Sequence, residues 1–473
     1  MFLVFLENIA VIGVILLLGL LISRLILGPN EKMAYLGLAF PLGSGIFTWL
    51  VFLTSWFGFP NLKISYVGVT GILLVTLLVL GPPVRFKELW SDLRNWFRGL
   101  GGLRELPWLS ILLWSLVLLV FLGALVISVG RSYSVWDAVA FWSIKGYGMA
   151  LENTLDAISQ WGSHGMTYPP NISLLISIFK MVTGDILPGS KLLFPLYLLS
   201  ILIGSYRFWR QIGTRSIVSR IGLLFLVSVP IVFEYGTIGY SNLPLACFLV
   251  LALLWGSEGI FFNRWRPQLA SGILFGLAAW TRPEGILYGI AGFGALAISS
   301  WLMRRGKVNY AALLLPIVVI GGSWLVFYSF HGGGDSQAMS GVGAALRSFR
   351  TGDFNLTALK VIGRFIIASS IDIKTWGLVL PLSLVTIIVS FRSRKGDPQP
   401  FFWSCLIGSV AFGVVTIGLF YIGQFQFEPG FLQGWLARGF MRALLPTIIL
   451  LAIACVSSFG VSDEQTSTGN SMR

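Results

Sequence analysis

The chain has 473 residues, of which 56% are hydrophobic and only 11% are charged, and its formal net charge is +14. Soluble proteins carry roughly 25% charged residues, so this composition excludes an ordinary soluble domain and indicates a polytopic membrane protein. The basic residues are spread over many short loops, as the positive-inside rule expects, and this spread argues against a nucleic-acid partner.

Continuous apolar runs predict an all-α bundle of about 13 transmembrane helices, because roughly 20 apolar residues are needed to cross a bilayer. The predicted spans cover residues 3–27, 34–56, 63–82, 107–129, 191–206, 220–235, 242–258, 269–281, 285–302, 309–330, 371–391, 401–422 and 438–459. A further apolar run, 171–183, is too short to cross a hydrocarbon core of roughly 30 Å. We predict that it is a juxtamembrane or re-entrant helix.

Four regions follow from this pattern. Residues 1–106 form N-terminal membrane helices and end in a cytoplasmic amphipathic loop that lies on the membrane lipid. Residues 107–330 form a central membrane core, with juxtamembrane helices in a large outer loop at 130–190. Residues 331–461 form C-terminal membrane helices with an outer loop at 331–370, and 462–473 form a disordered cytoplasmic tail.

The basic loops also predict which side of the membrane carries the unusual polar residues. Placing those loops in the cytoplasm sends the loops 130–190, 236–241, 282–284, 331–370 and 423–437 to the opposite face. We expect a plasma-membrane protein whose active site lies on this non-cytoplasmic face. The polar residues that collect there include Asp137, Lys145, His164, Tyr168, Asn242, Arg282, Glu284, Arg438 and Arg442.

Asp137 follows a long apolar helix and is flanked by Trp136 and Trp142. Partial desolvation at such a boundary strengthens a carboxylate as a base, and the same group could instead hold a divalent cation. The alternative is an interfacial aspartate that headgroups solvate, between two ordinary tryptophans of the aromatic belt. His164 is a further candidate for a metal ligand or a base.

Arginines supply the candidate positive charge. Arg282 and Glu284 join two apolar helices with almost no loop, at a depth where unpaired charge is costly. They either form a local ion pair or face a shared cavity. Arg438 and Arg442 lie one helical turn apart and could clamp a phosphate or pyrophosphate, or could snorkel to headgroups.

The order of the polar motifs resembles the GT-C superfamily of integral-membrane glycosyltransferases, whose members include protein O-mannosyltransferases and the lipid A aminoarabinose transferase. The motifs are Trp136-Asp137, Tyr168-Pro169-Pro170-Asn171, Tyr240-Ser241-Asn242-Leu243-Pro244 and Trp280-Thr281-Arg282-Pro283-Glu284-Gly285. The resemblance covers roughly residues 107–330.

The resemblance implies roles for individual residues. It implies that Asp137 is the general base or orients the acceptor, and that the turn from Tyr168 to Pro170 lines the donor pocket. The family usually has Asp where this chain has Asn242, which weakens a two-carboxylate metal site. Transfer is then metal-independent, or Glu284 fills the gap. The sequence requires no cofactor, and a divalent metal on Asp137, Glu284 or His164 stays open.

Such enzymes take a sugar from a polyprenyl-phosphate donor and invert its anomeric centre. An inverting transfer needs a base, here Asp137, and positive charge on the leaving phosphate, here Arg438, Arg442 or Lys145. The sugar and the acceptor are not predicted.

Two other functions compete with glycosyltransfer. A lipid or sugar transporter or flippase would need polar residues through the midplane and a path open to both faces, whereas the predicted span centres hold few ionisable residues. A polysaccharide polymerase or ligase that uses a lipid-pyrophosphate substrate would suit the paired arginines, but the acid in the first outer loop argues against it.

Overall fold

The computed structural model describes residues 2–28, 34–80, 107–161, 168–331, 347–348, 350–352, 355–370, 372–392, 399–423 and 431–458. Within these ranges the chain is helical and has no strand, which agrees with the all-α prediction. The α-helices are α1 Phe2–Leu27, α2 Ala34–Phe57, α3 Leu62–Leu80, α4 Pro107–Gly130, α5 Ile144–Glu152, α6 Ala157–Gln160, α7 Asn171–Thr183, α8 Leu193–Gln211, α9 Ser216–Ser228, α10 Pro230–Tyr235, α11 Asn242–Phe261, α12 Trp265–Thr281, α13 Gly285–Met303, α14 Tyr310–Pro316, α15 Gly322–His331, α16 Leu356–Ser370, α17 Ile373–Trp376, α18 Val379–Arg392, α19 Gln399–Gly423, α20 Phe431–Trp435, α21 Met441–Ala443 and α22 Leu445–Ser458.

Eight described helices are long and apolar enough to cross a membrane. They cover Leu3–Leu27, Tyr35–Phe57, Trp108–Gly130, Gly189–Gln211, Asn242–Phe261, Gly285–Met303, Tyr310–His331 and Pro400–Gly423. These eight make the chain a multi-pass membrane protein. The count of about 13 is not confirmed, because several of the other predicted spans form helices of only 10–17 residues.

Two predicted spans begin later than the hydropathy suggested. Asp372 caps the short helix α17 by accepting a hydrogen bond from the Lys374 backbone N–H, and Gly377 ends that helix with a φ of +57°. The span predicted at 371–391 therefore starts only at Val379. The span predicted at 438–459 is also interrupted, by a turn at Leu444, and its longest continuous helix is α22.

The helix α11 lies at the centre of the bundle, where every residue from Asn242 to Ile260 is buried. A helix that is apolar on all sides is expected in such a position. One charge lies inside it: Glu258 accepts two hydrogen bonds from the Arg207 guanidinium, at 2.6 and 2.9 Å. This bidentate pair joins α11 to α8, and hydropathy did not reveal it.

Helix α7 confirms the helix predicted at 171–183, and its residues Asn171 to Phe179 are buried. The Tyr66 hydroxyl, in the first turns of α3, lies 2.7 Å from Ser177 Oγ. At the other end of α7, Asn171 Nδ2 donates to Thr281 Oγ1 at 2.8 Å. Its place relative to the bilayer stays a prediction, and the amphipathic loop of 83–106 and the tail of 462–473 lie outside the described residues.

Small residues bring α1 and α2 into backbone contact. A Cβ added to Gly19 would lie 1.6 Å from the Ala39 carbonyl oxygen, and one added to Gly43 would lie 2.1 Å from that of Ile15. Close backbone approach through small residues is a common means of packing helices in membranes.

We therefore expect Gly19→Val to force α1 away from α2 and to lower the free energy of unfolding by about 3 kcal/mol, since the clash is with backbone. The loss of tryptophan fluorescence on heating in detergent would measure it as a lower Tm. Gly13→Val on the same helix is the control, because a Cβ there meets nothing within 4 Å. Equal melting of the two variants would contradict the packing described here.

Candidate functional site

Four polar segments meet at one end of the bundle. Asp137 lies seven residues beyond the end of α4, and Asn242 opens the central helix α11. The Arg282-Pro283-Glu284 turn connects α12 to α13, and Arg442 lies in α21, just before α22. The fold thus brings together polar residues that the sequence spreads over some 300 positions.

Local sequence explains the shape of these ends. Arg282 is extended, with φ −150° and ψ 144°, because a following proline disfavours the helical conformation. The turn then folds tightly onto α12, since a Cβ on Gly285 would lie 2.2 Å from the Ala278 carbonyl oxygen. This tight turn therefore keeps Arg282 close to the end of α12.

π-helical segments, which are wider than an α-helix, lie next to Asp137 and Arg442, the two site residues that are farthest apart in the sequence. A π-helical segment, Ala138–Ser143, begins directly after Asp137. A second one, Leu436–Phe440, ends directly before the short helix that carries Arg442. Single π turns inside α-helices are frequent at functional sites, where they redirect side chains.

Two ion pairs form the centre of the site. Arg442 Nη1 donates to Asp137 Oδ2, and Arg282 Nε donates to Glu284 Oε1 at 2.5 Å. Two carboxylates and two guanidiniums carry a formal charge of zero in total. Their side chains are between 10% and 20% exposed, so each charge is mostly shielded from water.

Asn242 links the two ion pairs. Its Oδ1 accepts a hydrogen bond from Arg282 Nη1 at 3.0 Å, and its Nδ2 donates to the Arg442 carbonyl oxygen at 3.4 Å. The same Arg282 nitrogen donates to Ser241 Oγ at 3.2 Å. Because an amide offers both an acceptor and a donor, Asn242 contacts both arginines from one position. We call the five residues Asp137, Asn242, Arg282, Glu284 and Arg442 the polar cluster.

Two tyrosines cover the arginines. The Arg282 guanidinium carbon lies 5.2 Å from the centre of the Tyr168 ring, and that of Arg442 lies 5.2 Å from the Tyr240 ring. Burial raises the pKa of the Tyr168 phenol, and burial together with the Asp137 charge raises that of Tyr240. Both hydroxyls are therefore neutral at physiological pH and can donate hydrogen bonds.

A buried hydrogen-bond chain supports the Arg282 turn from below. Asn171 Nδ2 donates to Thr281 Oγ1 at 2.8 Å, and Thr48 Oγ1 donates to Asn171 Oδ1 at 2.7 Å. Trp280 Nε1 in turn donates to Thr48 Oγ1 at 3.1 Å. Sequence reasoning missed this chain and Ser241, although Asn171 and Thr281 each lie inside a motif that it had marked.

The predicted site residues outside the polar cluster have different surroundings. Tyr168 packs on Phe141 and Trp142, with ring centres 5.3 and 5.2 Å apart, and so joins the cluster to the outer-loop helices. Trp136 is 60% exposed and contacts Phe141 edge-on. His164 and the Arg438 side chain lie outside what the structure describes.

Lys145 is buried in the first turn of α5. It is not among the charged residues that shift the pKa of Tyr168, which are Arg282, Glu284, Arg442 and Asp137. Burial lowers the pKa of the Lys145 ammonium to about 8.

The two carboxylates of the cluster do not fit a divalent cation in this arrangement. Each one is already neutralised by an arginine, and those guanidiniums would repel a cation placed between them. Among the described residues, no group of three or more His, Cys, Asp and Glu side chains is close enough together to hold a metal ion.

These features define a polytopic helical membrane protein with a charge-neutral, mostly shielded polar site at one end of its bundle. A family model described as dolichyl-phosphate-mannose-protein mannosyltransferase matches residues 167–324, about a third of the chain. The match confirms the resemblance to the GT-C superfamily and indicates a glycosyltransferase of that kind.

The matched range includes Tyr168, Asn242, Arg282 and Glu284, but it does not reach Asp137 or Arg442. No curated protein and no solved structure matches the chain. The assignment of Asp137 and Arg442 to the site therefore rests on the contacts described above.

Lys145 makes a pH-dependent prediction. Between pH 8 and 10.5 the unfolded chain keeps the lysine proton that the folded chain has released, so stability should rise with pH through this window. Relative to Lys145→Met, the wild type should gain roughly 2 kcal/mol from pH 7 to pH 10, seen as a rising Tm difference. Parallel curves for both proteins would show that Lys145 is not desolvated.

Proposed function

We propose that this protein is an inverting glycosyltransferase that moves a sugar from a polyprenyl-phosphate donor to an acceptor hydroxyl at the non-cytoplasmic face of the membrane. The observation that carries this proposal is the polar cluster itself. It places one base candidate, Asp137, in direct contact with one phosphate-binding candidate, Arg442. The proposal places both residues at the boundary of the bilayer, where a lipid-linked donor would reach them.

The transfer step uses three side chains, those of Asp137, Arg442 and Arg282. The acceptor oxygen attacks the anomeric carbon while the bond from that carbon to the phosphate oxygen breaks, and the electron pair leaves with the phosphate. The acceptor proton goes to the Asp137 carboxylate. The lipid phosphate gains negative charge as it leaves, and the guanidiniums of Arg442 and Arg282 stabilise it.

Donor binding and base release are coupled in this mechanism. Before the donor binds, Arg442 neutralises Asp137. The donor phosphate takes over a hydrogen bond of Arg442, because phosphate is an equally suitable partner for a guanidinium. Asp137 is then free to accept a proton only when a sugar phosphate is in place.

Arg282 has a different part in the proposal. Glu284, Ser241 and Asn242 hold its guanidinium from three sides, with distances of 2.5 to 3.2 Å. An arginine held in this way loses little freedom when a phosphate binds, so it acts as a preorganised electrostatic contact. Tyr168, over the face of the same guanidinium, offers a neutral hydroxyl to the sugar or the phosphate.

The description of the matched family names a dolichyl-phosphate-mannose donor and a protein acceptor. Mannose and protein hydroxyls are therefore the first donor sugar and acceptor to test here. Transfer can be measured with the purified full chain in vesicles that contain radiolabelled polyprenyl-phosphate mannose and solubilised membrane proteins as acceptors. Labelled protein is the product to be counted, and the absence of any transfer from polyprenyl-phosphate sugars would refute the proposal.

Asp137→Asn should lower the rate of transfer by about 10²- to 10⁴-fold, the usual contribution of a general base. Its elution in size-exclusion chromatography should stay that of the wild type. The matched control is Asp156→Asn, a change to an exposed carboxylate in the same outer loop, and it should keep full activity. Wild-type rates in Asp137→Asn would reject the assigned role.

A double variant distinguishes a catalytic role of the Asp137–Arg442 ion pair from a purely structural one. Arg442→Gln alone should raise KM for the donor and lower Tm, because it leaves Asp137 without its guanidinium. Combining Arg442→Gln with Asp137→Asn removes both charges, so Tm should recover while transfer stays absent. Recovery of transfer together with Tm would mean that the ion pair is only structural.

A further inference from the structure

A groove lies between α1, α3 and α7, and no residue of the polar cluster lines it. Its volume is about 660 Å³. The residues along it are almost all apolar, and they come from α1, α2, α3 and α7.

One charge stands at the end of this groove. Lys63, in the first turn of α3, is exposed and is the charged member of the lining, which includes no acidic side chain. The two lining hydroxyls make hydrogen bonds within the protein: Tyr66 binds Ser177 Oγ at 2.7 Å, and Thr70 donates to the Tyr66 carbonyl oxygen at 2.7 Å. The walls therefore favour a hydrocarbon chain, and the end of the groove favours an anion.

The length of the groove matches one leaflet of a bilayer. Lys63 and Leu74 are eleven residues apart on one helix, which corresponds to about 16 Å at 1.5 Å per residue. The hydrocarbon core is roughly 30 Å thick, so one leaflet contributes about half of that. A single acyl chain whose headgroup is at Lys63 would fill the groove along its length.

The groove is separate from the polar cluster. Its α7 residues, Ile178, Met181 and Val182, belong to the second half of that helix, whereas Asn171, at the first residue, contacts Thr281 next to the cluster. From Asn171 to Val182 the helix rises about 16 Å. Neither Arg282 nor Arg442, the residues that would bind the donor phosphate, lines this groove.

We propose that this groove binds an anionic glycerophospholipid of the surrounding membrane, with one acyl chain between α1, α3 and α7 and its phosphate on Lys63. The argument is the charge complementarity of a single ammonium with a lipid phosphate, at the end of an apolar groove one leaflet long. The bound chain fills space that no described side chain occupies, and so it ties α3 to α1 and α7. This site does not depend on the proposed transferase activity.

Native mass spectrometry of the detergent-solubilised full chain can count bound lipids directly. The protein would be titrated with dioleoyl phosphatidylglycerol and, separately, with dioleoyl phosphatidylcholine. One phosphatidylglycerol per chain should persist at collision energies that remove phosphatidylcholine. Lys63→Gln should weaken the phosphatidylglycerol adduct about fivefold, the value of one lysine near a lipid phosphate, while Lys63→Arg should retain it.

Two glycines of α3 provide a matched pair for blocking the groove. A Cβ added to Gly71 or to Gly68 meets nothing within 4 Å, but only Gly71 lines the groove. Gly71→Phe should fill the groove and abolish the retained adduct. Gly68→Phe places the same side chain on the same helix outside the groove and should leave the adduct unchanged.

Each result decides the proposal. Equal adducts in Gly71→Phe and Gly68→Phe would overturn it, and so would equal retention of both lipids by the wild type and by Lys63→Gln. Displacement of phosphatidylglycerol by an equimolar polyprenyl phosphate would also overturn it, because the groove would then hold the donor chain. If Gly71→Phe does not fold, the comparison of Lys63→Gln with Lys63→Arg still tests the proposal.

Discussion

The ion pair between Asp137 and Arg442 is the constraint on which the site depends. It joins residues 305 positions apart, at the end of α4 and near the start of α22. Within a membrane protein each charge is costly without the other, since removing one partner of a shielded pair leaves the other uncompensated. The pair therefore fixes where the last helix of the described chain must begin, and α11, between these elements, receives its polar first residue at the same place. π-helical segments lie directly after Asp137 and directly before the short helix that carries Arg442.

Much of this fold could be predicted from the sequence, for a physical reason. Apolar runs long enough to cross a bilayer are hard to mistake, and eight of the predicted helices reach that length. Charge asymmetry between loops gathered Asp137, Asn242, Arg282, Glu284 and Arg442 on one predicted face, and the structure brings these five together. The total number of spans could not be predicted as well, because hydropathy does not register a capping aspartate such as Asp372 or a turn such as the one at Leu444 that interrupts an apolar run.

The sequence could not predict which residues of the site contact each other. Arg438, Arg442 and Lys145 were equally suitable as phosphate ligands on composition, and only the three-dimensional arrangement shows that Arg442 contacts the acid. Glu258 is the opposite case: a carboxylate in the apolar helix α11 hardly changes its hydropathy, so its bidentate pair with Arg207 could not be read from the sequence. Both failures have one cause. Periodicity reports which face of a helix is apolar, whereas ion pairing depends on which distant helix end lies opposite.

The charge of the cluster also gives a physical meaning to Asn242, where the resemblance led us to expect an aspartate. With Asp137 and Glu284 opposite Arg282 and Arg442, the formal charge is already zero. A third carboxylate would make the cluster negative and would repel the phosphate that the proposed reaction requires. An aspartate could accept the hydrogen bond from Arg282, but it could not donate to the Arg442 carbonyl oxygen as the Asn242 amide does. Asn242 is neutral and both accepts and donates a hydrogen bond. It thus holds both arginines in place without neutralising either of them. In the proposed reaction, an arriving phosphate competes for Arg442 with one carboxylate, that of Asp137, which is the group that has to be released.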